Sequence, residues 1–233
     1  MKAYRVGFVN SCVSQTNVQK KGCTTNTMDN RAKLVFLLAF FFILPGCYGN
    51  APNNQSNDQE GDQYLSSPPI PEYLNLVADT AERDIDRGSS FNILEDANGS
   101  NTMILWVSTG CSGCHDWTEM IVDEMDSGNI SSDIRIITVH RYPSFETRQE
   151  VIDVYASENS STNSRWPVLI PYDGQPAIDV EKNNDTEYDY SEAFENPATP
   201  SFTILDGDGK TIWKNRTYWA NQTVLDEALE YLE

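Results

Sequence analysis

The longest apolar run in the chain is residues 34–44 (LVFLLAFFFIL), and no comparable block follows it. Further on, apolar positions recur at element-sized intervals. Leu74, Val77, Ala78, Ala81 and Ile85 share one face of a helix predicted over residues 71–87, with Gly88 as its stop. A short strand is predicted at 91–94, then the turn pair Asn98-Gly99, then a buried-type strand at 103–107 that runs through Ser108-Thr109-Gly110 into Cys111. There the period changes. Trp117, Met120, Ile121, Val122 and Met125 recur at helical spacing as far as Gly128, so Cys111 falls at a strand-to-helix junction. Residues 134–139 read as the next strand, and Ser144 as the cap of a helix carrying Val151, Ile152 and Tyr155. Residues 166–170 (WPVLI) read as a short strand. Residues 171–198 are polar and acidic and show no period, with Tyr188, Tyr190 and Phe194 as their packing candidates. Residues 201–205 and 211–214 flank the turn Asp206-Gly207-Asp208-Gly209 as a hairpin, and Asn221 caps a last helix with Val224, Leu225, Ala228, Leu229 and Leu232. Strands alternating with helices and closing in a hairpin and helix predict an α/β sandwich around a mixed sheet.

Charge narrows the partners. Sixteen Lys and Arg against 35 Asp and Glu give a formal charge of −19, which excludes a phosphate backbone as a partner because binding one requires cations. The run at 34–44 is too short for a bilayer core of about 30 Å, which takes about 20 helical residues. With Arg31 and Lys33 before it and Pro45-Gly46 after it, the run reads as a signal-peptide core. Met28 stands just upstream, so residues 1–27 are expected to be a mis-assigned start or to be absent from the mature chain. Leu44-Pro45-Gly46-Cys47 resembles the prokaryotic lipoprotein signal in which the Cys becomes the lipidated first residue, except that Pro45 replaces a small residue. Ordinary cleavage near Gly46 or Cys47, releasing a soluble protein, is the alternative. Without residues 1–46 the chain keeps 10 basic and 34 acidic residues, a formal charge of −24. The expected organisation is an extension and signal peptide at 1–46, a flexible polar tether at 47–69 and one folded domain at 70–233. Seven Asn-x-Ser/Thr triplets, at Asn54, Asn98, Asn129, Asn159, Asn184, Asn215 and Asn221, fit chance in an Asn-rich chain.

Cys111-Ser112-Gly113-Cys114 carries the chemistry. On the first turn of a helix, the first sulfur meets unpaired N–H groups and the positive dipole end, which favour thiolate over thiol. Lowering a thiol pKa from about 8.5 to about 7 takes the thiolate fraction at neutral pH from about 3% to half, for about 2 kcal/mol. Cys114, one turn on, is placed to resolve a mixed disulfide at Cys111. Other readings stay open. A staple across so short a loop contributes about 2 kcal/mol in the chain-entropy model. Half a zinc site needs two more ligands, and the chain has only His115 and His140, both read here as solvated. Cys111 to His115 also spells the CxxCH of covalent haem attachment, which would need a distal ligand and an apolar pocket. Asp206-Gly-Asp208-Gly starts as a calcium loop does, but Lys210 holds a ligand place and no Glu follows at the twelfth, so it reads as a turn.

The strand-CxxC-helix unit, the later strand and helix, and Thr199-Pro200 opening SFTILDGDGKTIW resemble the thioredoxin-like superfamily from about residue 91 to 233. Trp166-Pro167-Val168-Leu169 and the segment inserted after it are more similar to the TlpA-like branch, extracytoplasmic and often membrane-anchored thiol-disulfide oxidoreductases. The resemblance implies a mixed sheet flanked by helices, with an insertion before the C-terminal hairpin. It also implies a redox-active disulfide between the catalytic cysteines Cys111 and Cys114, a cis-proline at Pro200 that binds substrate together with Thr199, and no cofactor or metal. The implied partners are cysteine-bearing protein segments, such as apocytochromes c, a redox partner protein, and the membrane through a lipid on Cys47. Leu105 stands where thioredoxins keep a buried acid and Gly110 where they keep an aromatic residue, departures that leave the redox direction open; Ser112-Gly113 lacks the His of strong oxidants, which implies a reductant or mild exchanger.

Overall fold

The computed structural model describes residues 67–233. The expectations placed on residues 1–46 and on nearly all of the tether, Cys47 included, lie outside the described residues. Among these, no helix is long and apolar enough to cross a membrane.

The central sheet forms around the most apolar strand. β4 (Thr102–Val107) is buried at every position, so it is covered on both faces. β5 (Ile136–His140) pairs parallel to it, Met103 opposite Ile136 and Val107 opposite His140, and β6 (Val168–Leu169) adds parallel to β5. On the other side β9 (Ser201–Leu205) runs antiparallel to β4 with Leu105 opposite Phe202, and β10 (Thr211–Asn215) completes the order β10-β9-β4-β5-β6. Period-two alternation along β4 divides the interior into two cores. Met103, Leu105 and Val107 face a cluster built with Trp117, Ile121 and Cys114 of α2 (Ser112–Asp126), Val151 and Tyr155 of α3 (Arg148–Tyr155), and Leu225 and Ala228 of α5 (Gln222–Glu230). Ile104 and Trp106 face the second core, with Leu74, Leu76, Phe91, Tyr190 and Phe194. Helices flanking a mixed sheet, the CxxC at the head of α2 and the closing hairpin and helix make the fold thioredoxin-like, with an insertion before the hairpin.

The second core corrects the helix expected over 71–87. That segment is extended: β1 (Leu74–Asn75), β2 (Val77–Asp79) and a single 3-10 turn, Asp84–Asp86. Leu74, Leu76, Ala78 and Thr80 are buried at every second position, with Asn75 buried beside the first pair, a period of two that competes with the helical spacing, and the main chain bonds outward rather than to itself. The Ile93 amide reaches Leu76 O, Ala81 reaches Val168 O and Ile170 reaches Asp79 O. β3 (Ser90–Asn92) is the short strand expected near 91, but Asn92 then caps a one-turn helix, α1 (Ile93–Ala97).

The inserted segment is structured. β7 (Pro176–Asp179) and β8 (Asn184–Asp189) join β1 in a small sheet, and α4 (Tyr190–Ala193) sets Tyr190 and Phe194 against Trp106, at ring separations of 6.2 and 5.4 Å. The α3 cap is Thr147, in a reciprocal capping box with Glu150; Ser144 instead donates to Asp173.

Candidate active site

β4 ends at Val107, and after three linking residues the chain enters α2 with Cys111 as its N-cap. Its Sγ accepts the Cys114 amide at 3.2 Å, the place a Ser or Asp oxygen takes in an ordinary cap, and its carbonyl accepts the His115 amide. Cys111 and Cys114 are joined in a disulfide with their Cα atoms 5.2 Å apart. Cys111 retains 7% of its surface and Cys114 none, so the first cysteine is the accessible one, through a narrower opening than a solvent-facing sulfur would have.

The opening is narrow because a second loop leans on it. A Cβ on Gly113 would lie 2.3 Å from the Tyr218 carbonyl oxygen and 3.1 Å from Pro200 Cδ, so the CxxC, the proline loop and the β10–α5 loop meet with no room for a side chain. The Thr199–Pro200 peptide bond is cis, and Thr199 Oγ1 lies 3.4 Å from Ser108 Oγ. The β10–α5 loop is tied to α2 at both ends. Trp117 Nε1 donates to Thr217 O at 2.8 Å, and the Ala220 amide donates to Asp116 Oδ2 at 2.8 Å. Between those ties Tyr218 and Trp219 stand edge to face with their rings 4.9 Å apart, 45% and 60% exposed. Nothing in the sequence marked this aromatic pair; only its seat against Gly113 gives it meaning.

Neither histidine is the solvated residue the sequence suggested. His115 is half-buried, with Nε2 donating to Thr109 O at 2.9 Å and its ring edge-on to Tyr155 at 5.9 Å. His140 is fully buried and lies 2.8 Å from Glu146. Burial pushes the His140 pKa below its ordinary value, partly offset by Glu146. Burial works upward on Glu146, but the Thr109 amide and His140 outweigh it and hold the carboxyl below the usual range. Leu105 is wholly buried in the apolar cluster beneath α2. Gly110 is exposed with open space around it. Asp206–Gly209 is the hairpin turn expected, Asp206 Oδ1 accepting the Asp208 and Lys210 amides. Among the described residues, no group of three or more His, Cys, Asp or Glu is placed to hold a metal ion.

No protein-family model matches the sequence, and no curated protein matches it. Solved structures do. The thioredoxin domain of a thiol-disulfide oxidoreductase from Bacteroides vulgatus is 15% identical with a TM-score of 0.45, covering 72% of this chain and all of that one. A secreted Mycobacterium tuberculosis disulfide oxidoreductase is 14% identical with a TM-score of 0.43, covering 66% of this chain and 94% of that one. An exposed lipoprotein thioredoxin from Streptococcus pneumoniae is 14% identical with a TM-score of 0.39, covering 67% and 98%.

Proposed function

We propose that the chain is a thiol-disulfide oxidoreductase acting outside the cytoplasmic membrane, with Cys111 attacking and Cys114 resolving. The observation that carries this reading is the Cys111–Cys114 disulfide at the head of α2, with the partly open sulfur taking the N-cap place. In the reduced protein the free N–H groups of the first turn favour charge on that sulfur. The Cys111 thiolate attacks a client disulfide, forms a mixed disulfide and releases one client thiolate. Cys114 then displaces the other, leaving the protein oxidised and the client reduced by two electrons.

The client is a cysteine-bearing protein segment in extended form. Pro200, against Gly113, offers a main-chain edge without an amide donor beside the disulfide, with Thr199 next to it. The exposed rings of Tyr218 and Trp219 supply apolar surface for a client side chain flanking the cysteine. A redox partner protein restores the dithiol. The signal-type segment ending at Cys47 supports a lipid anchor there, with the polar stretch after it as the tether.

The test is trapping. Cys114→Ser leaves the mixed disulfide at Cys111 unresolved, so it accumulates client adducts that reducing agent releases, while Cys111→Ser accumulates none. A Cys114→Ser protein that traps no thiol partner, in cells or with a cysteine peptide, overturns the reading.

A further inference from the structure

The turn that delivers Cys111 is held by side chains rather than by the sheet. Glu146 Oε2 lies 2.8 Å from the Thr109 amide nitrogen and 2.8 Å from His140 Nε2, so one oxygen receives both. The Thr109 amide can only donate, which makes Oε2 an acceptor and puts the His140 proton on Nε2. His140 Nδ1 is buried without a hydrogen-bond partner, an arrangement that suits a lone pair in a neutral ring better than a second N–H. Tyr155 Oη donates to Ser108 O at 2.7 Å, and His115 Nε2 to Thr109 O at 2.9 Å. Three side chains from the β5–α3 loop, α3 and α2 therefore grip two successive residues of the turn that leads into Cys111.

We propose that Glu146, set in place by His140, is a positioning residue for exchange at Cys111: by holding the Thr109 amide it fixes the Ser108–Gly110 turn and the direction in which the sulfur is presented. The proposal rests on the oxidoreductase reading above. His140 is suited to the task because the end of β5 immobilises it, with Tyr190 Oη of α4 donating to its carbonyl at 2.9 Å. The charged and titratable groups around the pair are Glu150 and Tyr155 of α3, Tyr190 of α4, Arg141 beside His140, and His115 of α2. Of these, Tyr155 has its hydroxyl pKa raised far above the ordinary value by burial and by the Glu146 charge, so it stays a donor to Ser108 throughout the working range.

The test uses reduced protein and oxidised glutathione, which needs no client contacts. Cys111 thiolate attacks the glutathione disulfide and forms a Cys111–glutathione bond, releasing one glutathione thiolate. Cys114 displaces the second, so two electrons pass from the protein dithiol to glutathione. The rate is followed against pH in parallel with thermal unfolding. Glu146→Ala is expected to lower the alkaline plateau about tenfold, as a misdirected reacting group does. Glu146→Gln keeps an acceptor for Thr109 and is expected to recover the plateau to within about threefold. Glu146→Asp keeps the charge but shortens the reach and is expected to behave as Ala does, which preserves the test should the Ala variant not fold. Folded Ala or Asp variants with the wild-type plateau overturn the proposal, as does a Gln variant as slow as Ala. Wild-type protein that does not react with glutathione overturns the oxidoreductase reading itself.

Discussion

Gly113→Ala tests whether the β10–α5 loop is packed against the CxxC. A methyl group there would sit 2.3 Å from the Tyr218 carbonyl oxygen, about 1 Å short of van der Waals contact, and 3.1 Å from Pro200 Cδ. The neighbour cannot yield freely, because Trp117 Nε1 to Thr217 O and the Ala220 amide to Asp116 Oδ2, both 2.8 Å, pin the loop on either side of Tyr218. Moving it by about 1 Å breaks or badly stretches one neutral and one charge-assisted bond, together about 2–4 kcal/mol. Alanine returns at most about 1 kcal/mol through its better helix propensity. The net expectation is a loss of about 1–3 kcal/mol, which for a domain of this size lowers Tm by about 2–12 °C. Calorimetry of the oxidised variant measures it. Gly110→Ala is the control: the site is open and the expected change is within about 0.5 kcal/mol. Equal or higher Tm for Gly113→Ala would refute the packing, and with it the placement of Tyr218 and Trp219 beside the disulfide.

Two further outcomes follow from buried charge. Arg83 clamps the extended N-terminal segment to β6, reaching Asp86 at 2.7 Å, Trp166 O and Ser164 O at 2.8 Å each and Asn163 at 3.1 Å, while Asp86 is itself fully buried and takes the Val168 amide. Arg83→Ala strands that carboxylate and is expected to cost about 3–5 kcal/mol, read as a lower urea midpoint at unchanged m-value; a loss under about 1 kcal/mol contradicts the clamp. The second outcome concerns acid. His140 has a folded pKa below its ordinary 6.5, so as pH falls past 6.5 the unfolded chain takes up a proton that the folded chain refuses, and stability declines. Glu146, also lowered when folded, adds stability that is present above the ordinary carboxylate range and is lost as pH falls through its folded value. The urea midpoint should therefore drop between pH 7.5 and 5.5, and drop less in His140→Gln; identical slopes would count against the buried neutral ring.

The central unit was legible because its signals are strong and local. A strand covered on both faces must be apolar throughout, as residues 103–107 are, and the period shift after Cys111 marks the helix start to the residue. The hairpin and the Asn221 cap were equally plain, Asn221 accepting the Val224 amide as a capping residue should. Residues 71–87 misled because Leu74, Val77, Ala78 and Ala81 satisfy a helical spacing while Leu74, Leu76, Ala78 and Thr80 satisfy a strand. Contacts with β6 and the 210 region, over a hundred positions away in chain order for some pairs, decide between them. The insertion hid for another reason: β8 is exposed or half-exposed at every position, and the segment buries only Ala177, Tyr190, Ala193 and Phe194 in the apolar core. Thr147-Arg148-Gln149-Glu150 was a readable capping box that Ser144 obscured. His140 gave no sign, since a strand ending in ITVH reads as one polar residue at an edge, and its partner comes six residues later from a loop.

The same division of β4 into two faces explains why the chemistry gathers at one rim. Leu105 lies in the apolar cluster with Cys114, Trp117 and Phe202, and that cluster is walled by hydrocarbon and aromatic rings. A thiolate on Cys114 would have no solvent there, whereas Cys111 has the first-turn N–H groups and a remnant of open surface. On the proposed reading, the charge of the reduced pair therefore belongs with Cys111 and the proton with Cys114. Leu105, buried in that cluster, offers no group to take that proton.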